Sequence, residues 1–380
     1  MTIEEKLEKE INEKIERIGF IELKENIKIK DDIYLKKGID YPLKFSYLKK
    51  GLRDKSFYAG IELEKFIDSM IYLIGIKKDI NNSQIYIKNI KDILKAPFEY
   101  IISKAYESLK NDSASAIIYL QAYENLYGFD KRILFSKYQV IEYYTDKNRD
   151  EIDYKELEQA ESNIINNYLD MIEEDEKFAP PYLRLAYIYE NRGHFIKAKL
   201  YFEKYLFYSK EESTKEEVRQ ELVKIEDYVS IEVAQTYIIY GDNFKALQAL
   251  EKISLDYKDK MLLNLLKGKV NYALGKFEEA AKFLELSCLE KITDENASLL
   301  AMAYAQEGQI NKAKKILEEA IQIEKESNIL YYDLATINLN ENKLEEALEN
   351  FKKSYRLHSD ENIEKIIKKL EETIDKKNKS

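Results

Sequence analysis

Downstream of residue 179, small and bulky apolar positions recur in a fixed relation to one another. Gly193, Gly241, Gly275, Gly308 and Asn342 are each followed five residues later by an alanine: Ala198, Ala246, Ala280, Ala313 and Ala347. The alanines are spaced 48, 34, 33 and 34 residues apart. Twelve residues before each stands a small residue (Ala186, Ala234, Gly268, Ala301, Ala335), and four residues after each a bulky one (Phe202, Leu250, Leu284, Leu317, Phe351). The pattern predicts pairs of antiparallel helices joined by short turns. The small residue of the first helix faces the alanine of the second, and the bulky residue fills the space beside that contact. Gly or Asn at the turn supplies the left-handed conformation that ends a helix. A single pair cannot bury its apolar face, so neighbouring pairs must stack.

The rest of the chain is less regular. Residues 97–130 fit the pattern loosely, with Tyr100, Asn111, Ala116 and Leu120 in register. Residues 131–178 read as a stretched unit: a helix over 132–144, a polar loop over 145–153 and a helix over 154–173. Pro180 and Pro181 suit the first turn of the next helix. The 48-residue interval holds 14 extra residues, placed between Tyr208 and Ile231. Ser213 and Glu216 form a capping-box signature there. Val218, Leu222, Ile225, Val229 and Val233 continue one apolar stripe, which predicts an extended first helix starting near Thr214. Beyond Asp360, Ile363, Ile366, Ile367, Leu370 and Ile374 predict a closing amphipathic helix. At the other end a helix is expected over 3–18, followed by helices near 43–52, 57–75 and 84–94. Ile21, Leu23, Ile27 and Ile29 alternate around Glu25 and Asn26, which permits a short hairpin.

These units resemble the tetratricopeptide repeat family. The fullest match is 179–212, with Tyr182, Leu185, Ala186, Tyr189, Gly193, Phe195, Ala198 and Phe202 in the family's order. Further copies are 227–260, with Asn243 where an aromatic is usual, then 261–293, 294–327 and 328–361. The aromatic late in the first helix is present as Tyr189, Tyr237 and Tyr304, and is replaced by Asn271 and Asn338. The resemblance covers residues 97–361. It implies an all-α, right-handed superhelical solenoid, preceded by a small, mainly helical domain (1–96) packed on the first repeats and closed by a capping helix and tail (362–380). It also implies that the first helices line a concave groove. In register, Leu183, Tyr187, Ile231, Gln235, Leu265, Lys269, Ser298, Met302, Tyr332 and Thr336 point into it. Some family members clamp an acidic C-terminal tail with Lys and Asn at these places. Here only Lys269 suits that task and the asparagines are missing. The groove is therefore expected to be apolar and aromatic, accepting an apolar peptide or helix.

Composition narrows the function classes. Of 380 residues, 45% are hydrophobic and 35% charged, and the 11 Gly and 4 Pro leave little room for an all-β fold. The abundance of Tyr fits an AT-rich coding genome and does not by itself mark a binding surface. The net charge of −10 is uneven: residues 1–96 carry 20 Lys and Arg against 17 Asp and Glu, the remainder 41 against 54. An acidic repeat region suits nucleic acid poorly, because that binding rests on cations at phosphates. Residues 24–55 are the basic exception, with ten basic and five acidic residues. The charged N-terminus shows no signal-peptide core, and four charges within 57–76 exclude a membrane span there. A cytoplasmic location is expected.

Candidate chemistry is sparse. His194 and His358 are too far apart for a helical zinc motif. Cys288, the single cysteine, reads as packed and inert, and the acidic run 173–176 as solvated. Ser46 to Lys49 matches a serine-hydrolase fragment without its companion motifs. No cofactor or metal is expected. The leading expectation is a non-enzymatic scaffold or adaptor that binds a protein or peptide through the groove, with no nucleic-acid or membrane partner; the sequence leaves a homo-oligomer open. One alternative is a peptide-sensing intracellular regulator with an N-terminal effector domain, which requires a recognition surface within 1–96. The other is an enzyme with its site in 1–96, which requires perturbed carboxylates in a pocket there.

Overall fold

The computed structural model describes residues 2–30, 33–53 and 62–379. The chain forms two compact units, residues 1–185 with 207–209, and residues 186–206 with 210–380.

The first unit begins with α1 (Ile3–Glu13), started by a capping box between Thr2 and Glu5. Next come β1 (Ile18–Glu22), β2 (Ile27–Lys30), β3 (Ile33–Leu35), β4 (Asp40–Lys44), α2 (Phe45–Arg53), α3 (Leu63–Ile76) and α4 (Ser83–Ile93). The unit continues through α5 (Pro97–Leu109), α6 (Ser113–Tyr127), α7 (Lys131–Lys147) and α8 (Tyr154–Glu174). Every residue of α3 from Phe66 to Gly75 is buried, Asp68 and Ser69 among them. Gly75 lets the helix lie directly on the backbone of α6: a Cβ there would stand 2.0 Å from the carbonyl oxygen of Ile118. The core built on α3 runs from Ile11, Tyr41 and Ile90 to Ile101, Ile118 and Val140, so it crosses residue 96 without a break.

Several local expectations shift here. The helix expected over 3–18 ends at Glu13, gives way to a 3-10 turn over Lys14–Arg17, and becomes a strand at Ile18. Both strand segments exist, but they do not pair across Glu25 and Asn26. Instead β1 pairs antiparallel with β4 (Ile18 opposite Lys44, Glu22 opposite Asp40) and β2 with β3. Pairing with β4 sets buried Ile18 on the same small sheet as buried Tyr41 and Leu43. Asn26, far from making a tight turn, accepts the Lys37 N–H at 2.8 Å. Leu43 and Lys44 belong to β4, so the second helix starts at Phe45. Of the helix expected over 57–75, residues 57–61 lie outside the described residues. The polar loop after α7 is shorter than expected, since the helix reaches Lys147 and a 3-10 turn covers Arg149–Glu151.

The repeats continue with α9 (Pro180–Asn191) and α10 (Phe195–Tyr208), then α11 (Glu212–Ile239), α12 (Asn243–Glu251), α13 (Lys260–Ala273) and α14 (Phe277–Glu290). They close with α15 (Asp294–Gln306), α16 (Ile310–Ile323), α17 (Asn328–Asn340), α18 (Leu344–Leu357) and α19 (Glu361–Lys379). All five turn residues are left-handed: Gly193, Gly241, Gly275 and Gly308 have φ of 73–77°, and Asn342 has 60°. At each turn the next residue's N–H bonds back to a carbonyl five residues earlier, as His194 to Tyr189 and Gln309 to Tyr304. These are Schellman closures. The five alanines are fully buried, and the small residues twelve positions before them are buried with them. Gly268 shows why they must be small: a Cβ there would stand 2.5 Å from Leu284 Cγ and 3.3 Å from the Ala280 carbonyl oxygen. Ser287 and Ser354 add a repeated bond, donating to the carbonyl at the start of their own repeats (Met261 at 3.1 Å, Asn328 at 2.9 Å).

The extended helix α11 is 28 residues long, and its Val218, Ile225 and Val229 are buried. The capping box at Ser213 does not form. The helix begins at Glu212, two residues before the expected Thr214, with no side-chain cap, and the Glu216 carboxylate turns forward to accept from Arg219 at 3.0 Å. At the far end, Ile363, Ile367 and Leu370 of α19 pack with Phe351 and Ala347 of α18.

Candidate functional site

In the second unit the first helices α11, α13, α15 and α17 touch one another in series. Their outward side chains therefore form a row, and the expected groove residues divide into two sets along it. Ile231 and Leu265 are buried at 6% exposure each. Ile231 packs in one core with Leu266 and Val270 of α13, and Leu265 in another with Ala297 and Ala301 of α15. They fill seams between successive first helices, where small residues let the helices approach. Ser298 is buried as well and donates to Asp333 at 2.5 Å. Burial pushes the Asp333 carboxyl up, against the lowering effect of that bond.

The second set remains accessible. Gln235 is exposed, Met302 and Tyr332 are 40% and 38% exposed, and Tyr187 and Thr336 are half-buried. Tyr187 and Tyr332 rest edge-on against Phe202 and Phe351, with ring centroids 5.1 and 5.5 Å apart. Lys269 pairs with Glu295 at 3.1 Å. The surface along these helices is thus mixed, with aromatic and thioether groups between polar ones, rather than apolar throughout. Leu183, half-buried, belongs to the first unit.

Elsewhere the candidate chemistry is quiet. His194 and His358 are exposed at helix ends. Cys288 is half-buried beside Tyr304 and Ile316, and its thiol is pushed up to about 12 by burial and by Glu285. Among the described residues, no group of three or more His, Cys, Asp or Glu side chains could hold a metal ion. No helix among them is long and apolar enough to cross a membrane.

A polar network in the first unit escaped the sequence reading. Asp68, buried on α3, accepts from the hydroxyls of Tyr47 at 2.6 Å and Tyr119 at 2.7 Å and pairs with Lys44 at 2.5 Å. Burial first, and then the Asp68 charge, push both phenols well above their usual range. The signals were the one charged residue between Phe66 and Ile76 and the basic stretch before it.

Residues 179–206 and 297–327 match the family model of the tetratricopeptide repeat. Among solved structures, the chain is similar to YrrB, a tetratricopeptide repeat protein with an unusual peptide-binding site. The identity is 19% over 53% of this chain and 97% of that one, with a TM-score of 0.38. It is similar to a tetratricopeptide repeat protein from Parabacteroides merdae at 17% identity, over 72% and 98%, with a TM-score of 0.35. The yeast Sti1 TPR2AB domain in complex with pHSP90 is similar at 15% identity, over 72% and 98%, with a TM-score of 0.28. No curated protein matches the chain. Residues 179–206 and 297–327 are thus tetratricopeptide repeats, and the same left-handed closure recurs at all five turns from Gly193 to Asn342.

Proposed function

We propose that the chain is a non-enzymatic protein-binding scaffold that takes a peptide or helix along the first helices of its second unit. The observation that carries this is the pair Met302 and Tyr332, large and partly exposed on the touching helices α15 and α17. Side chains of this kind, held on rigid elements and surrounded by polar groups, make affinity anchors. Tyr187 extends the surface on α9, while Gln235 and Thr336 offer hydrogen bonds. Ile231 and Leu265 serve stability and not contact. Lys269, partly committed to Glu295, orients an acidic group of the partner. The excess of acidic residues beyond residue 96 favours a protein partner over nucleic acid.

The test is affinity capture with the intact chain and with a Met302→Ala, Tyr332→Ala double variant, followed by titration of each protein the wild type retains. The double variant is expected to bind at least about tenfold more weakly, a loss of about 1.4 kcal/mol, with an unchanged melting temperature. Equal affinity of the two forms for every retained protein would refute the assignment.

A further inference from the structure

A pocket of about 460 Å³ opens in the first unit where the end of β4 and the start of α2 meet α3 and α6. Its charged lining is Lys14, Arg17, Lys44 and Lys49 against one carboxylate, Asp112. Two of the cations are already matched. Lys44 pairs with Asp68 beneath it, and its ammonium lies 4.8 to 5.4 Å from the ring centres of Tyr47, Tyr72 and Tyr119. Lys14 pairs with Asp112. Arg17 and Lys49 are exposed and, among the described residues, have no carboxylate partner. Two positive charges are therefore left over in a chain of net charge −10. A cleft with one sign of uncompensated charge concentrates counter-ions of the other.

The surplus matches a dianion better than a carboxylate, which would leave one cation unanswered. Arg presents a planar fork suited to phosphate oxygens, and the hydroxyls of Ser46 and Ser115 line the same pocket. Phe45, 42% exposed, and the ring of Tyr72 supply flat apolar surface beside them. The volume lies in the range of small-ligand sites. We propose that this pocket binds a phosphomonoester carried on a planar ring, with Arg17 and Lys49 holding the dianion and Phe45 contacting the ring. The site does not depend on the helix surface of the second unit.

Calorimetric titration of the full chain with AMP, phosphotyrosine and inorganic phosphate tests it. A ring-bearing phosphate is expected to bind at least about tenfold more tightly than inorganic phosphate. Preference for AMP assigns a nucleotide, and preference for phosphotyrosine a phosphorylated side chain. Arg17→Gln with Lys49→Gln should weaken binding by a similar factor at an unchanged melting temperature, since neither residue is paired among the described residues. Lys49→Arg should retain binding, and Phe45→Ala should weaken the ring-bearing ligands alone. The proposal fails if none of the three binds at millimolar concentration, or if the Gln variant binds like wild type. It fails also if inorganic phosphate binds as tightly as the other two.

Discussion

Gly75 and Gly268 are both pressed against a neighbouring helix, yet they differ in what presses on them. At Gly75 the obstacle is the backbone of Ile118, which cannot step aside. At Gly268 the nearest atoms belong to the Leu284 side chain, which has rotamers to explore. Gly75→Ala is therefore expected to cost about 3 kcal/mol or more, the upper end of overpacking, and Gly268→Ala less. Thermal denaturation of the two variants checks the order, and equal losses would contradict it. Cys288 offers a second residue-level test. With its thiol held up to about 12, it stays protonated at pH 8, where the reactive thiolate is only about one part in ten thousand. Its alkylation in the native state should rise about tenfold per pH unit between 8 and 10, while a free thiol levels off near its ordinary value of about 8.5. A native rate equal to the denatured rate at pH 8 would show the thiol to be unshielded. That Cys288 lies on a second helix was legible from the register. The partners of Asp68 were not, because Tyr47 and Tyr119 lie 21 and 51 residues away and no periodicity joins them.

Among the elements, those whose contacts are local in sequence could be read directly. The small residue and its alanine stand twelve positions apart, so the spacing encodes both the turn and the contact. Alternation likewise announced strands, but it does not name their partners, and β1 finds β4 beyond the β2–β3 pair. The capping box failed for a similar reason: Glu216 has a competing cation in the next turn, which a four-residue motif does not weigh. The closing helix α19 gives the element-level test. Ending the chain at Asp360 would uncover Phe351, Leu344 and Ala347, which α19 shields with Ile363, Ile367 and Leu370. Terminal repeats need such a cover. The shortened chain is expected to melt at lower temperature and to bind an apolar dye such as ANS. Unchanged melting and no dye binding would show that α19 does not cap the last repeat.

For the molecule as a whole, the sequence revealed the repeat class because five registers agree, and it lost the pattern upstream because the first unit's core is organised around α3 and not around a repeat. The candidate binding surface was legible only in part. Register placed its residues on successive first helices, but burial depends on how closely neighbouring first helices approach, and that removed Ile231 and Leu265. The long helix α11 carries one further consequence. Its 14 extra residues, at about 100° each, turn through about 1,400°, within about 40° of whole turns, so the buried stripe from Val218 to Val229 keeps to one side. A lineage can lengthen or shorten the chain at this point only in steps near whole turns, about 4, 7, 11 or 14 residues. Any other change would swing Val218 into water, so size variation among descendants of this gene should be quantised here.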